Sequence, residues 1–560
     1  MMNSKFVWFF LSALMIVMIP QVDAQRKITI DDLWSKGVYR SKGVPGFRFM
    51  NDGRHYTAQK GNYIIRYDFT TGELVDTILD ISFLNLPGDI KQIDGYSFSD
   101  DETQIMLTAG TEGIYRYSSK EWSYIYNRSA KKLESVHEET KQMHATYSPD
   151  GKKVGFVVDN DLYYKDLLTG KQHRVTTDGE INKIINGSCD WVYEEEFSFT
   201  KAFQWSPDSR HLAYYRFDES NVKDFSMTYY TGELYPEETT FKYPKVGMEN
   251  SKVSIHLFDT HTFKKTTIDR TSEPDGYIPR IKWTKNPSKL CVFWMNRHQN
   301  HLELLLADVN TGKTSLMLEE ENKYYIDIHD NLTFLSEDDC FIWTSEKVGF
   351  NHIYLYGMDG SLKKQLTSGS YDVTSFYGVD EKNKNVYYQA AAKSPMEREV
   401  YSVDLKGQHQ KTITDKRGMN NVQFSTTFDH YTWTHSDINT AATISVYDRR
   451  GKLMRILEDN ANVRKLQEEC QVQHVEFYSF TTPEGVQLNG YQIKPYNFNP
   501  AKKYPVLMYL YGGPGSQEVL DEWMGAYYWW FQSLAQQGYV ISCVDNRGTG
   551  GRGEEFKKMT

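Results

Sequence analysis

Short runs of alternating apolar and polar residues fill the chain as far as about Leu466, and a recurring phrase separates them. The phrase is an aromatic or apolar residue, a small polar residue and an Asp/Asn turn. It reads FMNDG from Phe49, FSDD from Phe98, YSPDG from Tyr147, WSPDS from Trp205 and WTKNP from Trp283. Weaker copies follow as LSEDD from Leu335, VDEKN from Val379 and TFDH from Thr427. Strand-like alternation comes after each phrase, often closed by a second turn such as TTGE at Thr70, LTGK at Leu168, NTGK at Asn310 or DRRGK at Asp448. Turns of this chemistry between period-two runs predict hairpins. A strand-turn-strand-turn unit repeating at roughly 45 to 55 residues is how a four-stranded propeller blade is written. Unrelated hairpins in a sandwich would use the same turns, but not at so regular an interval. Eight phrases therefore predict eight blades. The longer step from Trp205 to Trp283 leaves room for an insertion over residues 229–248, rich in Tyr, Glu and Pro.

The pattern changes after Leu466. Val475 to Pro495 still reads as paired strands around Pro483-Glu484-Gly485, but Tyr504 to Tyr511 is a nearly continuous apolar run ending in Gly512-Gly513-Pro514-Gly515. Such a run fits a buried strand of a parallel or mixed sheet. A helix is predicted over Trp523 to Gln537, a second buried strand over Tyr539 to Val544, and a new helix from Glu554. Strand, Gly-rich turn, helix, strand is the opening of an α/β domain. The expected fold is thus mainly β: an eight-bladed β-propeller over 25–465, then the start of an α/β-hydrolase domain over 466–560.

Composition and the N-terminal end narrow the function. Lys5 precedes an uncharged run from Phe6 to Ile19, Pro20 breaks it, and Val22-Asp23-Ala24 supplies small residues at cleavage spacing. Residues 1–24 read as a signal peptide, since the run is shorter than the roughly 20 residues that a membrane span needs. The mature chain is expected outside the cytoplasm, periplasmic, cell-surface or secreted. A net charge of -10 with no Lys/Arg-rich run speaks against nucleic acid as a partner. The five cysteines, Cys189, Cys291, Cys340, Cys470 and Cys543, include no C-x-x-C pair, so spacing encodes neither a zinc site nor a disulfide scaffold. No metal or other cofactor is expected.

Two segments carry chemistry. In Asp190-Trp191-Val192-Tyr193-Glu194-Glu195-Glu196-Phe197, three consecutive acids stand among aromatic residues. Three acids in a row most often mark a solvated surface or the first turn of a helix. Partly desolvated carboxylates that repel each other instead favour a bound cation, and a substrate ammonium would serve. In the second segment, Tyr511 stands before the glycine turn, where an α/β hydrolase commonly places an oxyanion-hole donor. Its plainer reading is a buried Tyr before a turn. A third match, G-x-G-x-x-G from Gly548 to Gly553, spells a dinucleotide-binding turn, but Asp545-Asn546-Arg547 separates it from its strand and the 560 residues stop short of where the packed helix and the acid would show, so the match alone is weak.

With these residues together, the chain resembles the dipeptidyl peptidase IV branch of the prolyl oligopeptidase family from about Ile28 onward. DWVYEEEF at Asp190, YPVLMYLYGGPGSQ at Tyr504 and VDNRGTGGRG at Val544 agree in order and spacing. The resemblance implies a serine exopeptidase that releases N-terminal Xaa-Pro, and less well Xaa-Ala, dipeptides. It assigns Glu195 and Glu196 to the substrate's free N-terminus, Arg116 to its backbone carbonyl and Tyr511 to the oxyanion hole. It also implies peptide substrates and a homodimer to which the 229–248 insertion contributes. The family's nucleophile elbow departs from this pattern, because no G-x-S-x-G occurs in the 560 residues. The Ser-Asp-His triad is therefore expected beyond the chain, which reads as a fragment of a longer enzyme. A non-catalytic propeller binding module and another peptidase of the same family are the alternatives. The purified 560-residue chain is expected not to cleave a Gly-Pro chromogenic amide, and robust turnover would overturn that reading.

Overall fold

The phrases sit where they do because their side chains build the turns. In the third repeat, Ser148 Oγ donates to Asp150 (2.6 Å) and accepts the Lys153 amide (3.0 Å). The same pair of bonds recurs at Ser99 with Asp101 and Gln104, and at Ser206 with Asp208 and His211. The second turns use an aspartate: Asp68, Asp166, Asp308 and Asp448 each accept two backbone N–H groups from the residues just ahead. Side chains that satisfy the turn's own amides fix the hairpin before any packing occurs.

The computed structural model describes residues 25–84, 86, 90–269, 276–336 and 339–559. The expected signal peptide and two residues of the LSEDD phrase lie outside them. Among the described residues, eight successive antiparallel sheets of four or five strands span 48–80, 95–135, 143–174, 184–267, 276–321, 333–365, 373–412 and 419–458. All eight phrases fall between the opening strand segment and the second long strand of a sheet, and the second turns join the last two. Seven apolar clusters each bridge one sheet and the next, from Ile64 with Ile105 at the first joint to Val400 with Trp433 at the last. The eighth sheet meets the first: Gln423 exchanges hydrogen bonds with both the amide and the carbonyl of Phe47, Thr426 reaches Met50 O and Arg455 reaches Phe69 O.

The long insertion is a two-stranded hairpin, Asp224–Tyr229 paired with Glu237–Lys242. It leaves the fourth sheet between strands His211–Asp218 and Lys252–Asp259, so the arm begins before residue 229. No helix among the described residues is long and apolar enough to cross a membrane.

After a helix at Ala461–Cys470, which crosses the expected boundary near 465, a mixed sheet takes over. Its order places Glu476–Thr481 beside Gln487–Ile493, then Val540–Val544, then Val506–Tyr509, with only the last pair parallel. Among the described residues Val506–Tyr509 is paired on one side only, and Val506 and Met508, which share one face of the sheet, are exposed, so the expected strand buried on both faces is not found. The expected helix from Trp523 begins later, at Ala526, because Gly525 at φ 59° breaks the backbone before it. Residues 25–39 do not enter the first sheet. Ile28, Leu33 and Tyr39 join one core with Tyr528, Trp529 and Ile541, and Tyr39 stacks on the fully buried Trp529 at 4.6 Å. Trp529→Ala is expected to cost about 3 to 5 kcal/mol in urea unfolding of this region. A loss below about 1 kcal/mol would show that the N-terminal segment does not depend on that contact.

Candidate functional site

The acidic triplet lies on a helix, Trp191–Phe197, that interrupts the first strand of the fourth sheet. The strand pieces on either side, Ile184–Asn186 and Phe203–Trp205, both pair with His211–Asp218. Asp190 caps the helix by accepting the Tyr193 amide at 3.0 Å, and Ser251 donates to its other oxygen at 2.6 Å. Burial pushes the Asp190 carboxyl up, and these two bonds pull it back. Ser198 closes the helix in the left-handed region at φ 56°. Tyr193, 2% exposed, fixes the helix to the fifth sheet, its hydroxyl accepting the Ile278 amide at 2.9 Å.

The three glutamates have three surroundings. Glu194 is 2% exposed and accepts the amides of Tyr117 (2.7 Å) and Ser118 (2.9 Å). Those residues belong to the loop between strands Gln104–Gly113 and Ser119–Asn127 of the second sheet, so Glu194 joins two sheets that are not neighbours. The same loop carries Arg116, which forms a two-point ion pair with Glu195, Nε to Oε2 at 2.9 Å and an Nη to Oε1 at 2.8 Å. Glu195 is half-buried and Glu196 exposed. The structure therefore brings Arg116, Glu195 and Glu196 to one place. Sequence reasoning gave Glu194 no part; its i,i+3 relation to Phe197 and i+1 relation to Tyr193 put it on the inward face, a helix period that could have shown it.

Tyr511 is 68% exposed, beyond the end of strand Val506–Tyr509, so the reading of it as a buried Tyr is set aside. Its ring explains Gly513, where a Cβ would stand 2.4 Å from Tyr511 Cε1. The two glycine-rich turns lock together: Gly515 N donates to Gly548 O at 2.7 Å, and a Cβ on Gly550 would sit 2.7 Å from Gly515 O. The G-x-G-x-x-G spelling thus meets a demand for close backbone approach. A cavity of about 440 Å³ lies between this turn region and the fifth to seventh sheets. Arg398, Gln517, Lys557 and Asp372 line it, and Arg116, Glu195, Glu196 and Tyr511 do not. All five cysteines are buried.

At the root of the arm, Glu219 is 5% exposed. Burial and the neighbouring Asp190 charge push its carboxyl up to about 7, with Lys242 opposing them.

Sheets that succeed one another and return to the first, carrying an acidic helix in one of them, define a β-propeller protein. Residues 99–442 match the family described as the dipeptidyl peptidase IV (DPP IV) N-terminal region, and the chain belongs to the dipeptidyl peptidase IV family. It is 32% identical over 432 residues to dipeptidyl peptidase 4 of Trichophyton rubrum, covering 74% of this chain and 55% of that protein. It is 30% identical over 482 residues to dipeptidyl peptidase 4 of Arthroderma otae, covering 82% and 62%. The crystal structure of Porphyromonas gingivalis dipeptidyl peptidase 4 superposes with a TM-score of 0.89 at 38% identity, over 95% of this chain and 76% of that one. The chain thus spans between about half and two thirds of these curated relatives.

Because the folded Glu219 carboxyl lies above its ordinary 4.5, its stabilising contribution is complete below pH 4.5 and is lost as pH rises through about 7. Glu219→Gln mimics the protonated acid. It should raise unfolding stability at pH 8 by on the order of 1 to 3 kcal/mol and leave it unchanged near pH 4. Equal effects at both pH values would contradict the burial of the charge.

Proposed function

We propose that this chain holds and orients the free N-terminus of a peptide for a serine exopeptidase that releases N-terminal dipeptides, Xaa-Pro and less well Xaa-Ala. The observation that carries this reading is the Arg116–Glu195 pair beside exposed Glu196, on a helix whose first glutamate is spent on backbone. A substrate ammonium would meet two carboxylates that repel each other, while the arginine keeps donors for the peptide carbonyl. The names of the relatives, dipeptidyl peptidase 4, support the reaction. Counting from a fixed ammonium limits the product to two residues. Tyr511, exposed at the end of its strand, suits an oxyanion donor.

In this reading the eight sheets are the blades of one propeller. The mixed sheet after residue 470 opens an α/β-hydrolase domain to which residues 25–39 belong by packing. Residues 1–24 act as a signal peptide, so the mature chain works outside the cytoplasm. The arm, with Tyr230, Leu234 and Tyr235 each more than three quarters exposed, contributes to a homodimer. No G-x-S-x-G occurs in the 560 residues, so the chain by itself binds the peptide and does not attack it. The same observation favours a second reading, a propeller that binds free N-termini without catalysis.

Calorimetric titration with Gly-Pro amide tests the site. Glu195→Gln or Glu196→Gln should weaken binding by about tenfold or more, through loss of a charge-assisted contact. N-acetyl-Gly-Pro amide should bind poorly to every variant. Equal losses on the charged and acetylated ligands would assign the carboxylates to structure alone.

A further inference from the structure

A second cleft lies beside the strand that leads into Tyr511. It measures about 310 Å³. Three rings form its apolar wall: Tyr509 and Phe531 at 5.4 Å between centroids, Tyr509 and Tyr527 at 5.7 Å, and Tyr527 and Phe531 at 6.0 Å. Trp523 adds a fourth, and Glu518 and Glu522 supply the polar groups. Glu518 lines the cleft beside the Tyr509 ring.

The charges in the cleft are unbalanced. Glu518 also faces the buried Asp545, which accepts the Glu518 and Val519 amides at 2.9 and 3.1 Å. None of these three acids has an ion-pair partner within 4.0 Å among the described residues. Two bases act on these acids: Arg398 on Glu522, already bonded to Gln517 and to two backbone carbonyls, and Arg552 on Asp545. Burial pushes Glu518, Glu522 and Asp545 all upward. Carboxylates held against ring faces in a partly dry cleft attract a cation that combines charge with an apolar stem, since both the acids and the ring quadrupoles favour positive charge there.

We propose that this cleft binds an organic cation, an alkylammonium or alkylguanidinium group of the kind a Lys or Arg side chain carries. Tyr509 and Tyr511 are two residues apart on one extended run, about 7 Å. A peptide whose reacting carbonyl lay at Tyr511 could therefore place a basic side chain in the cleft, and this placement rests on the function proposed above. A free alkyl cation would occupy the same groups without it.

Calorimetric titration of the intact chain with butylguanidinium decides the matter, with 1-butanol as the neutral control. Saturable binding of the cation, at least about tenfold tighter than the alcohol, is expected. Glu518→Gln and Glu522→Gln should each weaken it about tenfold, and Tyr527→Leu about threefold, with unchanged circular dichroism spectra. Glu195→Gln should weaken binding of Gly-Pro amide about tenfold or more but not that of butylguanidinium at the cleft, so failure of either reading shows separately. Tighter binding of Gly-Pro-Ala-Arg amide than of its Gln counterpart, abolished by Glu518→Gln, would identify a peptide side chain as the source. No such difference, with butylguanidinium still bound, would identify a free cation. Equal affinity for cation and alcohol, no saturable binding, or unchanged affinity in both Gln variants would overturn the proposal.

Discussion

A row of β-sheets that each bury one face against the next leaves an apolar face at either end, and the rest of this molecule depends on how those two faces are covered. Here the first sheet covers the eighth. Neither sheet borrows a strand from the other; each of the eight is drawn from one continuous stretch of chain. The seam is made by Gln423, Thr426 and Arg455 reaching backbone carbonyls, with Phe47, Phe49, Tyr56 and Phe69 packed edge to face behind them. Each such hydrogen bond is worth only about 0.5 to 1.5 kcal/mol net. The aromatic cluster supplies the apolar area that those bonds orient.

The return of the chain on itself makes the site possible. The helix with the three glutamates belongs to the fourth sheet and the loop with Arg116 to the second, and the third sheet lies between them in sequence. Glu194 spans the gap by accepting two amides of that loop. A buried carboxylate without partners would cost several kcal/mol, whereas one that satisfies two otherwise orphaned N–H groups is tolerated. Its position then sets where Arg116 and Glu195 meet, so one acid positions the loop and the next meets the arginine.

The mixed-sheet region docks on the ring through polar groups. Asp372 accepts the Gly553 amide at 2.8 Å, Asn322 donates to Glu554 at 2.7 Å, and Lys558, its side chain buried, reaches Glu346 at 2.8 Å. Lys557 pairs with both Asp327 and Glu346. Paired charges at such a joint add little net stability, because each must be stripped of water, but their geometry admits few relative orientations. The nearby cavity of about 440 Å³ is walled in part by the same groups, Asp327, Glu346, Asp372 and Lys557.

The local order of the chain was legible in its sequence. Ser148 and Asp150, or Asp166 before its glycine, encode their turns through bonds to residues within five positions, and such bonds form wherever the segment is placed. The repeat of those turns could be read from the residues, and the grouping of Arg116 with Glu195 from the family resemblance that their motifs carry. Burial could not. The sequence treats Val506 to Tyr509 as a strand covered on both faces, and it gives Glu194 no part beside Glu195 and Glu196. Only the folded chain decides that Val506 lies at a sheet edge, that Tyr39 stacks on Trp529 from nearly five hundred residues away, and that Glu194 turns inward while Glu196 stays in water. The physical reason is that a turn depends on neighbours along the chain, whereas the dielectric around a carboxylate and the cover on a strand depend on residues that only long-range packing brings near.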